Sequence, residues 1–188
     1  MVDADVWFYP GSFTLAACSA IFAALQHEIT WRQDSATIFG RRHLLPRLTA
    51  WYGDPGKSYR YSGIQMEPLP WTPTLRHIKA AIEPIAQVEF NSVLLNLYRH
   101  GQDSMGWHSD DEPELGSNPV IGSVSFGGCR RFLFRHKADR AIPKVELKLT
   151  NGSFLLMQGP TQHCWQHHIP KTKQPVEPRI NLTFRVIH

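Results

Sequence analysis

The chain has 188 residues, 42% of them hydrophobic, with a formal net charge of +4 and an isoelectric point near 9.1. This composition excludes a disordered or fibrous chain and fits one globular domain with a sizeable core. The mild positive balance permits a phosphate-rich partner without demanding one, and Cys18, Cys129 and Cys164, an odd number at no zinc-site spacing, fit a reduced, intracellular setting.

Residues 6–11, VWFYPG, read as a short extended lead-in. Ser12 or Thr14 can cap a helix running to about Glu28, with Leu15, Cys18, Ile21, Phe22 and Leu25 as its apolar stripe. No stretch reaches the length of a membrane span, and the apolar run 13–25 follows Asp3 and Asp5, where a signal peptide would carry positive charge. Residues 34–47, DSATIFGRRHLLPR, pattern as a hairpin with Phe39 and Gly40 near its tip and Arg41 and Arg42 following. An apolar tip beside cations suits insertion into a base stack while phosphates are held alongside. A buried hairpin phenylalanine with solvated arginines is the plain alternative. In TAWYGDPGKSYRYSG, residues 49–63, GDPG marks a turn and Tyr59 and Tyr61 alternate, so both rings share a side. They can sandwich a planar base or simply be half-buried in a sheet. Thr72 and Pro73 then open a second helix with Leu75, Ile78, Ile82 and Ile85 inward, ended or kinked by Pro84.

From residue 90 onward the pattern is strands: 92–98, 120–126, 131–136, 145–149, 153–157 and 179–187 are apolar-rich runs, most of them bounded by Gly, Pro, Asn or Asp. A run of strands behind an α-rich start predicts an α+β fold, an antiparallel two-sheet barrel with helices on one face. The segment 128–148 carries Arg130, Arg131, Arg135, Lys137, Arg140, Lys144 and Lys148 against Asp139 and Glu146. That is either a footprint for phosphates or an ordinary solvated hairpin.

The chemistry concentrates in residues 96–112, NLYRHGQDSMGWHSDDE. His108 and Asp110 stand one residue apart, so a strand end or short turn would aim both into one space. A histidine and a carboxylate are two-thirds of the facial triad that holds non-haem iron. The third ligand would come from QHCWQHHIP, which offers His163, His167 and His168; on a strand the last two face opposite ways, so only one of them can point inward. In PRINLTFR, Arg179 and Arg185 share a strand face with Asn181 and Thr183, as Asn96 shares one with Tyr98. Such arginines suit the two carboxylates of a keto-acid cosubstrate.

NLY, WHSDDE, SVSFGGCRRFLFRHK, WQHHIP and PRINLTFR, preceded by PRLTAWYGDPGKSYRYSG, resemble the AlkB family of Fe(II)/2-oxoglutarate-dependent nucleic-acid dealkylating dioxygenases, over roughly residues 35–188. The resemblance implies one domain: a double-stranded β-helix (jelly roll) over residues 91–188, with N-terminal helices and nucleotide-recognition hairpins over residues 1–90. It implies Fe(II) on His108, Asp110 and His167, where His168 departs from the smaller residue common in the family. It implies 2-oxoglutarate held by Arg179 and Tyr98, with Asn96, Asn181, Thr183 and Arg185 completing the pocket. Phe39, Gly40 and Arg41 would form a finger that fills the gap left by a flipped base. Tyr59 and Tyr61 would line the damaged-base pocket, and Asp111 and Glu112 would favour a cationic base such as 1-methyladenine or 3-methylcytosine. The implied reaction hydroxylates the methyl carbon, decarboxylates 2-oxoglutarate to succinate and releases formaldehyde. The implied partners are alkylated DNA or RNA, 2-oxoglutarate and dioxygen, with no membrane and a monomeric chain. A hydroxylase of proteins or small molecules on the same barrel, or a jelly-roll binding module without catalysis, are the competing readings. PRLTAWYG and WHSDDEPELG look like single-strand-preferring relatives, whereas FRHK looks like duplex-preferring ones.

Overall fold

The computed structural model describes residues 1–38, 40–57, 59–61 and 64–188, with strand residues 36–38, 41–42, 59–61 and 64–66 described by their backbone alone. Strand β1 (Asp5–Tyr9) leads into helix α1 (Leu15–Glu28), where the Thr14 side chain accepts from the Ala17 amide as the N-cap. Cys18, Ile21 and Leu25 are buried, but Leu15, expected inward, is exposed because it is the first helical residue and faces away from the sheet. Two hairpins follow, β2 (Ser35–Ile38) with β3 (Arg41–Leu44), and β5 (Tyr59–Tyr61) with β6 (Ile64–Met66), either side of β4 (Leu48–Gly53). Helix α2 (Pro73–Ala86) starts at a Thr72 cap and buries Leu75, Ile78, Ile82 and Ala86. Ile85, expected inward, is exposed, because the stripe continues from Ile82 to Ala86 at helical spacing. The helix runs two residues past Pro84 and ends on Gln87 in the left-handed region.

The remaining strands are β7 (Ser92–Tyr98), β8 (Met105–His108), β9 (Ile121–Gly127), β10 (Arg130–His136), β11 (Val145–Leu149), β12 (Ser153–Gln158), β13 (Trp165–Ile169) and β14 (Arg179–Arg185). A short helix, α3 (Thr161–Cys164), joins β12 to β13. A six-stranded sheet has the order β1-β12-β9-β14-β7-β4 and faces a four-stranded sheet of order β11-β10-β13-β8, every strand pair antiparallel. This is the expected α+β jelly roll. Both outer strands of the larger sheet come from the first 90 residues, so the N-terminal part completes the barrel as well as covering it.

Two apolar layers hold this arrangement. One, with Leu25, Ile78, Phe90, Phe154 and Phe184, lies between the helices and the larger sheet. The other, with Trp51, Phe132, Phe134, Leu155 and Trp165, fills the space between the sheets. Gly127, at the turn from β9 to β10, has φ +84°, and a Cβ there would stand 2.6 Å from the ring of Phe22 on α1. Only glycine combines that backbone with that helix approach. Among the described residues no helix is long and apolar enough to cross a membrane.

Candidate metal centre and its two pockets

The register of the smaller sheet pairs His167 of β13 with His108 of β8. Both imidazoles point between the sheets, and Asp110, two residues past the end of β8, meets them there. One ligand atom from each of His108, Asp110 and His167 lies within 4.8 Å of the others. His108 Nε2 and His167 Nε2 each stand 4.0 Å from a different oxygen of Asp110. His108 Nδ1 lies 2.9 Å from the Gly106 carbonyl oxygen, so the proton is assigned to Nδ1 and the Nε2 lone pair faces Asp110. The ring of Phe132 stacks on His167 with centroids 5.1 Å apart.

Asp110 is buried, and its main-chain N–H donates to Gln162 Oε1 at 3.0 Å. Burial pushes its pKa up, but the Arg185 guanidinium, donating to Oδ1 at 2.8 Å, and the two histidines hold it well below the usual carboxylate range. Burial, with His108 nearby, pushes His167 down to about 3. The centre is therefore an ionised carboxylate and a neutral buried imidazole at neutral pH, the protonation states in which they can ligate a divalent cation. Two nitrogens and a carboxylate oxygen fit iron.

The alternative histidines stand elsewhere. His163, on α3, is exposed and accepts from the Asn118 amide. His168 projects from the opposite face of β13 and stacks on Trp107. Another group, Asp3, His136 and Cys164, comes equally close together. There the Asp139 N–H donates to His136 Nδ1 at 2.9 Å, which leaves the proton on Nε2 and no lone pair aimed at the group.

Behind the triad lies a narrow cavity floored by the larger sheet. Asn96 and Tyr98 of β7, and Asn181, Thr183 and Arg185 of β14, line it. Asn181 Nδ2 donates to Ser123 Oγ and to the Val124 carbonyl, and Asn96 Oδ1 accepts from Arg47 Nε at 2.7 Å. Arg179 lies behind this wall, its guanidinium over the Tyr98 ring at 5.3 Å. Its Nη2 donates to Ser125 Oγ, but Nε and Nη1 are buried with no hydrogen-bond partner among the described residues. Burial lowers the Arg179 pKa to about 10, and nearby Tyr98 favours the charge without completing a hydrogen bond at either atom. Unsatisfied buried donors of this kind fit an anionic guest.

A wider cleft opens on the other side of the same triad. His108, Asp110 and Arg185 border both spaces, and Asp34, Trp51 and Glu112 line the cleft. Glu112 Oε2 is buried there without a hydrogen-bond partner among the described residues. Asp111 is instead exposed and paired with Lys137 Nζ at 2.7 Å. The two acids expected together are thus separated, because adjacent residues of an extended segment face opposite ways.

A sequence model of the 2OG-Fe(II) oxygenase superfamily matches residues 5–185. The chain is 42% identical over 191 residues to the human protein "Alpha-ketoglutarate-dependent dioxygenase alkB homolog 3", covering 97% of this chain and 66% of that protein. It is 40% identical over 188 residues to the mouse protein "DNA oxidative demethylase ALKBH2", covering 95% of this chain and 79% of that protein. The chain belongs to the AlkB family. It spans about two thirds of the length of the human relative. Its fold matches that in "The structure of OsALKBH1" with a TM-score of 0.68 at 17% identity, over 99% of this chain and 98% of that one.

Within this AlkB-family chain, four residues of the expected site fall outside what the structure describes, Phe39 wholly and Arg41, Tyr59 and Tyr61 in their side chains. Gly40 is exposed at the turn between β2 and β3 with φ +74°. The basic segment is more committed to internal contacts than its composition suggests. Arg130 is buried and donates to the carbonyls of Asp103 and Pro170, Arg131 pairs with Glu146, and Arg135 donates to Gln166 Oε1. Arg47 and Gln162 escaped the sequence reading: each is buried against the site and touches Asn96 or Asp110. Pro46-Arg47 closes the stretch read as a hairpin, and no local signal there marks the arginine as buried.

Proposed function

We propose that this chain is an Fe(II)/2-oxoglutarate-dependent dioxygenase that removes methyl groups from the Watson–Crick nitrogens of nucleic-acid bases, 1-methyladenine and 3-methylcytosine among them. The observation that carries this reading is the meeting of His108, Asp110 and His167 on the boundary between two spaces, one backed by the buried Arg179 guanidinium and the other open to solvent. Oxidation of the methyl carbon by dioxygen, with 2-oxoglutarate converted to succinate and carbon dioxide, is the chemistry that iron and its cosubstrate supply when bound.

His108, Asp110 and His167 would hold the iron. Arg179 would take the distal carboxylate of 2-oxoglutarate on Nε and Nη1, beside Tyr98, with Asn96 Nδ2 supplying a neutral donor and Asn181 and Thr183, bonded to Ser123, Val124 and each other, shaping the wall. Arg185 holds Asp110 in orientation and adds positive charge at the junction of the two spaces. The cleft would admit the flipped base, with Trp51 as its apolar wall and the unpartnered Glu112 oxygen favouring a cationic methylated ring over a neutral one. Tyr59, Tyr61 and the Phe39-Gly40-Arg41 turn would complete the grip on the nucleic acid, and Asp111 would join only after leaving Lys137. Support for a nucleic-acid substrate comes from the relatives named above.

The test is formaldehyde release from methylated oligonucleotides, with unmethylated oligonucleotides as competitors. Release that needs Fe(II) and 2-oxoglutarate and falls with added competitor is expected. No release from either lesion in any strand form, with 2-oxoglutarate still consumed, would point to a protein or small-molecule hydroxylase.

A further inference from the structure

The histidine proposed to hold iron most exposed to solvent sits on the least secured strand of the barrel. β8 has four residues, lies at the edge of its sheet and pairs only with β13. Its register matches His108 with His167 but Met105 with Ile169, so three steps on β8 oppose two on β13. One extra residue is accommodated across Gly106 and Trp107, and a ladder interrupted in this way holds its strand less firmly. A Cβ placed on Gly106 would meet nothing within 4 Å, so packing does not fix the backbone there either.

The opposite face of the sheet supplies what the ladder lacks. Trp107 precedes His108, and His168 follows His167. Their rings stack at 3.8 Å between centroids with planes 22° apart. The Arg135 guanidinium lies 4.3 Å from the centre of the Trp107 ring and donates from Nε and Nη2 to Gln166 Oε1, the residue before His167. Side chains next in sequence to both histidines are therefore joined on the outer face, across the two strands that carry those histidines on the inner face.

We infer that Trp107 and His168 are positioning residues: their stack clamps β8 to β13 and fixes His108 at the distance from His167 that the metal requires. This rests on the proposed ligand set. The clamp acts through ring contact, so any flat apolar ring at position 168 should serve, and the imidazole nitrogens should not matter. A stacked pair is worth about one factor of ten in an equilibrium that depends on it.

The experiment is a calorimetric titration of Mn(II) into the full metal-free chain, with amide exchange at 105–108 as a second readout. His168→Ala should bind Mn(II) roughly tenfold more weakly and speed exchange on β8 alone, while His168→Phe should stay within about threefold of the parent. Should His168→Ala fail to fold, Trp107→Leu carries the same expectation. The clamp is overturned if His168→Ala binds like the parent, or if His168→Phe is as weak as His168→Ala, which would make the nitrogen the active part. His167→Ala separates the two levels of the argument: parent-like affinity in that variant removes the ligand set itself, whatever the residue-168 variants do.

Discussion

Arg179→Met gives a sharp separation between stability and cosubstrate binding. The native guanidinium is 1% exposed, and two of its three nitrogens lack a partner among the described residues. An orphaned buried donor costs roughly 1–3 kcal/mol, and replacing a buried charge by an apolar side chain of similar length is often neutral or stabilising. The loss of the cation–π contact with Tyr98, about 0.5–2 kcal/mol, works the other way. The metal-free variant should therefore melt within a few degrees of the parent or above it. Binding should behave differently, because removing one partner of a buried, hydrogen-bonded charge pair costs about 2–5 kcal/mol, or roughly 30-fold to several thousand-fold in Kd. Calorimetry of 2-oxoglutarate with Mn(II)-loaded protein reads that loss. 2-Oxobutyrate, which lacks the distal carboxylate, should bind parent and variant equally weakly. A variant that is strongly destabilised yet binds 2-oxoglutarate within threefold of the parent would refute the assignment of Arg179 to the carboxylate.

Asp110→Asn keeps shape and most hydrogen bonding but removes the charge facing two histidines and Arg185, so Mn(II) affinity should fall at least 100-fold by the scale of a lost charged ligand; parent-like affinity in calorimetry would contradict the ligand set. The metal-free protein should lose stability on acidification: His167 binds a proton near 6.5 when unfolded but only near 3 when folded, so between those values the unfolded state holds more protons. The urea midpoint should then fall as pH drops through that window, with a contribution approaching about 1.4 kcal/mol per pH unit, and His167→Phe should flatten the profile. An unchanged slope in that variant would place the acid sensitivity elsewhere. Lys137→Ala breaks an exposed pair with Asp111 and should cost less than about 1 kcal/mol in chemical denaturation; a larger loss would mean that the pair fastens the β10–β11 connection to the site.

Much of the site was legible because strand alternation carries over directly into geometry. Arg179, Asn181, Thr183 and Arg185 repeat at period two on β14, and Asn96 and Tyr98 do so on β7, so their shared faces followed from spacing. The register Arg179↔Tyr98 and Asn181↔Asn96 was not legible, since it depends on pairing between segments some eighty residues apart. β4 escaped notice because LTAWYG is buried at nearly every position and shows no alternation. β8 was foreseen only as a strand end or short turn at His108, without its bounds, because MGWH is short and bulged. The orientation of Asp111 was lost for another reason: a run of three acids gives no local signal for which carboxylates face a cleft and which find a lysine. Arg47 and Arg130 look like solvated cations in sequence, and only tertiary contacts with Asn96, Asp103 and Pro170 explain their burial.

The most direct test of the whole account counts products in a single reaction. With a 3-methylcytosine oligonucleotide, Fe(II), 2-oxoglutarate and air, the parent should form succinate and formaldehyde in equal amounts, and Asp110→Asn should form neither. Succinate and formaldehyde produced at parental rates by Asp110→Asn would contradict it, because the chemistry would then be running without the centre on which every role assigned here depends.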